Sequence, residues 1–255
     1  MRPSYFGSST RPLFGVLHEA RGSRARPGAV LCPPFGQEAL RAHRCLRELA
    51  ARLAEAGFHA LRFDYSGSGD SAGEPGEARL EAWIEDAVSA VAEIRDSTGE
   101  ARVVLVGLRL GAAVAALAAR RAGGAAALVM WEPVTNGAAH LAGLRAAHAA
   151  WMRDHAPGAP LSPHEVLGVP LPAGLASDLG GLRLDCGGAP PARRTLVVGS
   201  AEDSGAQSLW KDEEDVERRV VPPAPVWLHA EGMARALVPG PLLDDIVDWL
   251  AGAVE

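Results

Sequence analysis

Gly107-Leu108-Arg109-Leu110-Gly111 is the segment whose residue types and spacing bear most directly on chemistry. A short apolar strand, Arg102–Val106, leads into it, and an alanine-rich helix to about Arg121 follows. Glycines two residues before and two after a central position let strand and helix approach closely. The sharp turn between them then holds the central side chain out at the end of the strand. Such a turn serves a nucleophile, yet its central residue here is Arg109. A guanidinium stays protonated and has no acceptor, so it can be neither nucleophile nor base. Its planar fork of donors suits a carboxylate or another anion. The position also lies at a helix N-terminus, where the macrodipole favours negative charge by up to about 1 kcal/mol at exposed sites. A cation there calls for a negative partner.

Asp203, in Ser200-Ala201-Glu202-Asp203 after the strand Thr195–Gly199, and His229, before the last helix, follow in the order elbow, acid, histidine. That is the chain order of a triad built on such an elbow. It favours Asp203 as the relic of a catalytic acid over a plain capping residue. His229 stands equally as a triad-position histidine and as a surface histidine in a proline-rich loop. Glu132 ends the strand Leu128–Trp131, at the carboxyl edge where open α/β sheets bind ligands. It reads either as a salt-bridge partner for Arg109 or as a helix-entry residue. Electrostatics therefore predicts that Glu132, Asp203 or a bound anion holds Arg109, with both acids following strands expected to flank the elbow strand. The amides of Phe35 or Gly36, together with that of Leu110, are the expected oxyanion donors, because Pro33 and Pro34 have no N–H.

Other candidates read as structural. Cys32 ends a strand near the expected site, but a free cysteine is more often a small buried hydrophobe than a nucleophile. Asp64, Asp70 and Ser71 fit side-chain-to-backbone bonds that brace their loop. His140, His148 and His155 fall at near-heptad spacing, unlike the three- or four-residue spacing of helical metal ligands, and read as lid or solvent residues. Arg41 and Arg44 are expected on a solvated helix face.

These residues need a frame to hold them. Segments around Ser4–Phe6 and Pro12–His18 suggest an opening antiparallel hairpin. Ala29–Cys32, His59–Phe63, Arg102–Val106, Leu128–Trp131, Thr195–Gly199 and Glu217–Val221 read as strands. Helical periodicity runs over Glu38–Ala56, with Leu40, Cys45, Leu46, Leu49 and Leu53 in step, over Leu80–Ile94, and over Pro241–Ala251. A polar helix is expected near Ala206–Asp215. Strand and helix in alternation imply an α/β fold, a mostly parallel sheet with right-handed crossovers. The rhythm breaks over Gly137–Pro191, where helical Asn136–His155 leads into a Pro- and Gly-rich stretch; this is expected to be a lid or cap inserted in a single domain spanning 1–255.

The 255 residues and 48% hydrophobic content suit one large α/β domain. With 25 basic and 31 acidic residues the net charge is −6, which does not suit a nucleic-acid binder. Three cysteines without short spacing argue against a disulfide framework or zinc site. The N-terminus has no signal-like run and no stretch reaches about 18 apolar residues, so a cytoplasmic protein without a membrane span is expected. No metal or cofactor is expected.

Cys32-Pro33-Pro34-Phe35-Gly36-Gln37-Glu38 and Leu61-Arg62-Phe63-Asp64-Tyr65-Ser66-Gly67-Ser68-Gly69-Asp70-Ser71 resemble the serine-aminopeptidase-like branch of the α/β-hydrolases. The elbow and Trp131-Glu132-Pro133-Val134-Thr135-Asn136-Gly137 are similar to a narrower group, the exosortase-A-system-associated hydrolases and their relatives in exopolysaccharide and secondary-metabolite gene neighbourhoods. The likeness covers roughly Ala29 to Arg145 well and the last third loosely. It implies an α/β-hydrolase fold and an Arg-bearing elbow shared by that group. Three functions are compatible with this. One is a catalytically degenerate homologue binding a small acyl or anionic ligand, with Arg109 as anchor. Another is an esterase or thioesterase using an unusual nucleophile or a water directed by His229 and Asp203. The third is a non-enzymatic partner subunit of a polysaccharide or metabolite assembly.

Overall fold

The structure is a computed structural model that describes residues 1–21, 26–184, 188–222 and 238–255. Its opening hairpin, β1 (Arg2–Ser8) and β2 (Arg11–His18), is antiparallel, as the sequence predicts. The chain then alternates: β3 (Gly28–Cys32), α1 (Gly36–Glu55), β4 (Ala60–Phe63), α2 (Leu80–Thr98), β5 (Val103–Leu108), α3 (Leu110–Arg121) and β6 (Ala127–Trp131). Between β6 and β9 (Thr195–Gly199) come α4 (Gly137–His155), a small hairpin of β7 (Glu165–Val166) and β8 (Val169–Pro170), and α5 (Ala173–Gly181). The chain ends with α6 (Ser204–Ser208), β10 (Val216–Val220) and α7 (Gly240–Ala253).

Eight strands form one sheet in the order β1-β2-β4-β3-β5-β6-β9-β10, parallel from β4 to β10 and antiparallel at β1 and β2. Every residue of β3, β5, β6 and β9 is buried. Central parallel strands covered on both faces need continuous apolar runs, which is what these segments are. Helices α1 and α7 pack on one face, α2 and α3 on the other. The sheet's carboxyl edge, where α/β folds bind ligands, therefore carries the loops after β3, β5 and β6 side by side.

Two expectations need correction. The helix expected near Ala206–Asp215 is only Ser204–Ser208. Trp210 takes φ 45°, which breaks the turn, and the charged run after it is exposed with no apolar stripe to bury. Leu40, expected on the core stripe of α1, is 67% exposed, because the buried stripe runs through Glu38, Ala42, Cys45, Leu49 and Leu53 instead. Among the described residues no helix is long and apolar enough to cross a membrane.

Candidate active site

The elbow is intact in its backbone. A Cβ on Gly107 would lie 2.3 Å from the carbonyl oxygen of Gly111, and one on Gly111 would lie 2.2 Å from that of Cys32. Both positions must be glycine, one for the close approach of strand and helix, the other for contact with the loop after β3. Arg109 itself sits at φ 56°, ψ −120°. A non-glycine residue in such a conformation costs on the order of 1–3 kcal/mol and persists only where its surroundings over-determine it. Backbone bonds do so: Arg109 N–H donates to Trp131 O at 2.9 Å, and Val134 N–H donates to Arg109 O at 3.2 Å. Glu132, at the end of the neighbouring strand, is strained likewise at φ 44°, with its N–H donating to Val198 O at 2.6 Å.

The partner of Arg109 is neither of the predicted acids. Arg109 Nε donates to Oε1 of Glu38 at 2.9 Å. Glu132 contributes its main-chain carbonyl, which accepts from a terminal nitrogen of Arg109 at 3.3 Å. Asp203 caps α6, its Oδ1 accepting from Ala206 N–H at 3.0 Å. Topology explains the correction. The strands flanking β5 are β3 and β6, whereas β9, which precedes Asp203, lies one strand beyond. Glu38 stands in the first turn of α1, directly after β3, where the helix dipole favours a carboxylate.

Glu38 is fully buried, and burial outweighs the arginine's pull to raise its carboxyl above the ordinary range. Across from it, His140 Nε2 lies 3.9 Å from Glu38 Oε2, and neither atom has a hydrogen-bond partner among the described residues. Burial first, and the Arg109 charge second, push His140 down to about 3. The imidazole is thus neutral at physiological pH and no ion pair forms with Glu38. Of the α4 histidines, read as lid or solvent residues, His140 and His148 are buried rather than in solvent, and His148 Nδ1 accepts from Leu167 N–H at 3.0 Å. The cause is that α4 packs on α5 and β7 and brings His140 to the first turn of α1. Only His155 is exposed, stacked on Trp151.

The register of β3 against β5 pairs Cys32 with Gly107, so the loops carrying Phe35 and Leu110 leave the sheet together. The N–H groups of Phe35, Gly36 and Leu110 donate to no acceptor among the described residues. Among the described residues one terminal nitrogen of Arg109 has no hydrogen-bond partner, and its side chain is 22% exposed. Cys32 is fully buried, and burial pushes its thiol up to about 12, which leaves it inert. Ser71 Oγ donates to Asp64 O at 2.6 Å and accepts from Phe14 N–H, and Asp64 Oδ2 accepts from Asp70 N–H at 3.1 Å, the loop bracing expected of these residues. Arg44 is exposed as expected. Arg41 is half-buried near Glu38 rather than on a solvated face, because α1 turns its first two turns towards the carboxyl edge.

The carboxyl edge thus gathers Arg109, Leu110, Glu132, Phe35 and Gly36. Asp203 stands beyond β9, and His229 lies outside the described residues. The residues that sequence reasoning missed are Glu38 and His140. A signal for Glu38 existed. It falls in step with Ala42, Cys45 and Leu49 on the apolar stripe of α1, and a charged residue on such a stripe is almost never buried unpaired.

The sequence model of the serine aminopeptidase S33 family matches residues 39–174, a span that includes the elbow and stops short of Asp203 and His229. No curated protein matches the chain. Among solved structures, an esterase of Pyrococcus furiosus superposes with a TM-score of 0.69 at 13% identity, covering 100% of this chain and 91% of its own. Est1E of Butyrivibrio proteoclasticus, bound to ferulic acid, gives 0.66 at 16% identity over 98% and 96%. The proline iminopeptidase of Mycobacterium smegmatis gives 0.60 at 15% identity over 99% and 98%. At such identities the structural likeness establishes the fold, and the family model, matching more than half of the chain, establishes the lineage. This chain belongs to the serine aminopeptidase S33 family of α/β-hydrolases.

Proposed function

We propose that this protein binds a small acyl or anionic ligand at its elbow and forms no acyl-enzyme from the elbow residue. The observation that carries this is Arg109 held at a strained φ of 56° with its guanidinium fixed by Glu38. Strain kept at a position that no longer holds a nucleophile argues that placing the guanidinium there is itself useful. Its remaining terminal nitrogen, with the amides of Leu110 and Phe35, would receive the ligand's anionic or carbonyl oxygen. Segment 137–191 would act as the lid, since His140 and the β7–β8 turn already touch α1: Gln37 Nε2 donates to Leu167 O at 2.8 Å.

Two measurements on the purified protein test the reading. A serine-directed fluorophosphonate should leave it unlabelled, and calorimetric titration with acetate, butyrate and phosphate should detect binding that the double variant Arg109→Met/Glu38→Gln loses. That variant removes both charges together, so no buried carboxylate is left alone. Stoichiometric labelling of a serine, or turnover in an ester panel that survives the double variant, would move the protein to the working-hydrolase class. Unchanged binding in the double variant would remove Arg109 from the site.

A further inference from the structure

A second arginine, half-buried, stands two strands from the elbow strand, on the other side of β3. Arg62, on β4, donates from Nε to His18 Nε2 at 3.3 Å. Burial first, and the Arg62 charge next, push His18 down to about 4, so the ring is neutral and accepts that bond. Among the described residues no carboxylate comes within ion-pair distance of Arg62, and its two terminal nitrogens have no acceptor. The opposite charge closest in sequence, Asp64, is committed to its own turn. Its Oδ2 takes Asp70 N–H, and a Cβ on Gly69 would fall 2.1 Å from it. Arg47 adds a second positive charge to the same locus. A half-buried guanidinium with a like charge near it and no counter-ion in contact is poorly compensated.

Arg62 also lines a cavity of about 690 Å³ between α1, the loop after β4 and β8. That volume lies within the roughly 300–1,000 Å³ of sites for drug-sized ligands. Most of its wall is apolar. Phe35 packs on Trp83 at 5.7 Å between ring centroids, Trp83 stacks on Tyr65 at 5.1 Å, and Tyr65 meets Phe63 edge-on at 5.1 Å. Leu40, the side chain that left the core stripe of α1, stands on the rim.

We propose that this cavity binds a small carboxylate with an apolar body, an aryl or medium-chain alkanoic acid, anchored by the terminal nitrogens of Arg62. An end-on pair of N–H···O bonds uses the two nitrogens that His18 leaves free. The aromatic wall and Leu40 cover the body. The cavity does not include Arg109, although Phe35 and Gly36 beside the elbow line it, and the proposal does not rest on the function proposed for the elbow.

Calorimetric titration of the full chain with octanoate, 3-phenylpropionate, octanamide and octylamine tests it. Octanoate or 3-phenylpropionate should bind, whichever matches the body of the natural ligand, and both amide and amine should bind more weakly. Arg62→Met should weaken the bound carboxylate by about tenfold or more, the worth of a charge-assisted hydrogen bond. Ala39→Phe, which fills the cavity from α1 and leaves Arg62 in place, should weaken it as well; it decides the matter if Arg62→Met does not fold. Arg109→Met/Glu38→Gln should leave this binding as in the parent, which separates it from binding at the elbow. The proposal is overturned if neither carboxylate binds at millimolar concentration, if octylamine binds more tightly than both, if Arg62→Met folds and binds unchanged, or if binding is lost with Arg109 instead.

Discussion

On either side of β3 stands a cluster of an arginine, a histidine and a carboxylate. At the end of β5, Arg109 meets Glu38 and faces His140; on β4, Arg62 meets His18 and lies near Asp64. Both histidines are buried and held neutral, at about 3 and about 4. The clusters differ in their acid. Glu38 grips its arginine at 2.9 Å from a fully buried position, whereas Asp64 turns to the backbone of its own loop. The first arginine has a carboxylate in contact, which fixes its guanidinium in place. The second leaves its cation open to a cavity. An arginine near a carboxylate in sequence is therefore not an ion pair until the carboxylate's other bonds are known.

The sharpest way to break this contrast is to remove Arg109. Arg109→Met leaves Glu38 buried without its cation, and breaking a buried pair costs about 3–5 kcal/mol. The side chain of Arg109 is 22% exposed, which places the expected loss at the low end, about 3 kcal/mol by chemical unfolding at pH 8. Because burial already raises the Glu38 carboxyl, the orphaned acid should take up a proton, and the loss should shrink at pH 5. Adding Glu38→Gln should recover most of it. Strictly additive losses in the double variant would mean that the two side chains are not coupled, and Arg109 would then resemble Arg62.

Smaller in effect is the acid limb of stability. A histidine whose folded pKa lies below its unfolded value binds its proton only on unfolding. Its contribution is present above about pH 6.5 and declines as pH falls towards the folded value. For His140 that window runs from 6.5 down to about 3, and for His18 from 6.5 down to about 4. Each should add a slope of about 1.4 kcal/mol per pH unit within its window. Glu38, with its pKa raised, has the opposite sign: its stabilisation is lost as pH rises through its folded value. Unfolding curves between pH 7 and 4 should therefore become shallower by about one proton in His140→Leu. A variant as acid-labile as the parent would place His140 outside the buried cluster.

How much of this was legible in the sequence follows the physics of each feature. The strands and long helices were, because buried parallel strands need unbroken apolar runs and α1, α2 and α7 carry periodic stripes. The elbow was legible down to its two glycines, since only glycine survives a carbonyl 2.2–2.3 Å from its Cβ. The partner of Arg109 was not. A strand-end acid such as Glu132 advertises itself by position, while Glu38 lies inside a helical stripe at the start of α1. Strand order decided between them, and it is a tertiary fact. Leu40 shows the same limit from the other side, an apolar residue in rough helical step that the helix turns outwards to a cavity rim. His140 was hidden because the approach of α4 to the first turn of α1 has no periodic signature.

The smallest expected effect sharpens the contrast most finely. Arg62→Met keeps the length of the apolar stem and removes a guanidinium that, among the described residues, has no carboxylate within ion-pair distance. Two terms oppose each other. Losing the bond to His18 costs about 1 kcal/mol, whereas removing a half-buried cation beside Arg47 relieves desolvation and repulsion of similar size. At neutral pH and without ligand, the unfolding free energy should stay within about 1 kcal/mol of the parent, a small fraction of the loss in Arg109→Met. Arg62 is the second cause, after burial, of the low pKa of His18. Without that charge the folded pKa of His18 should rise towards 6.5, and the window over which acid destabilises the fold should narrow. The variant should therefore gain relative to the parent between pH 6 and pH 4, a crossover that loss of packing alone would not produce. A penalty of about 3 kcal/mol at neutral pH, with no gain in acid, would show that Arg62 already has a carboxylate partner in the folded chain, and the two clusters would then be alike.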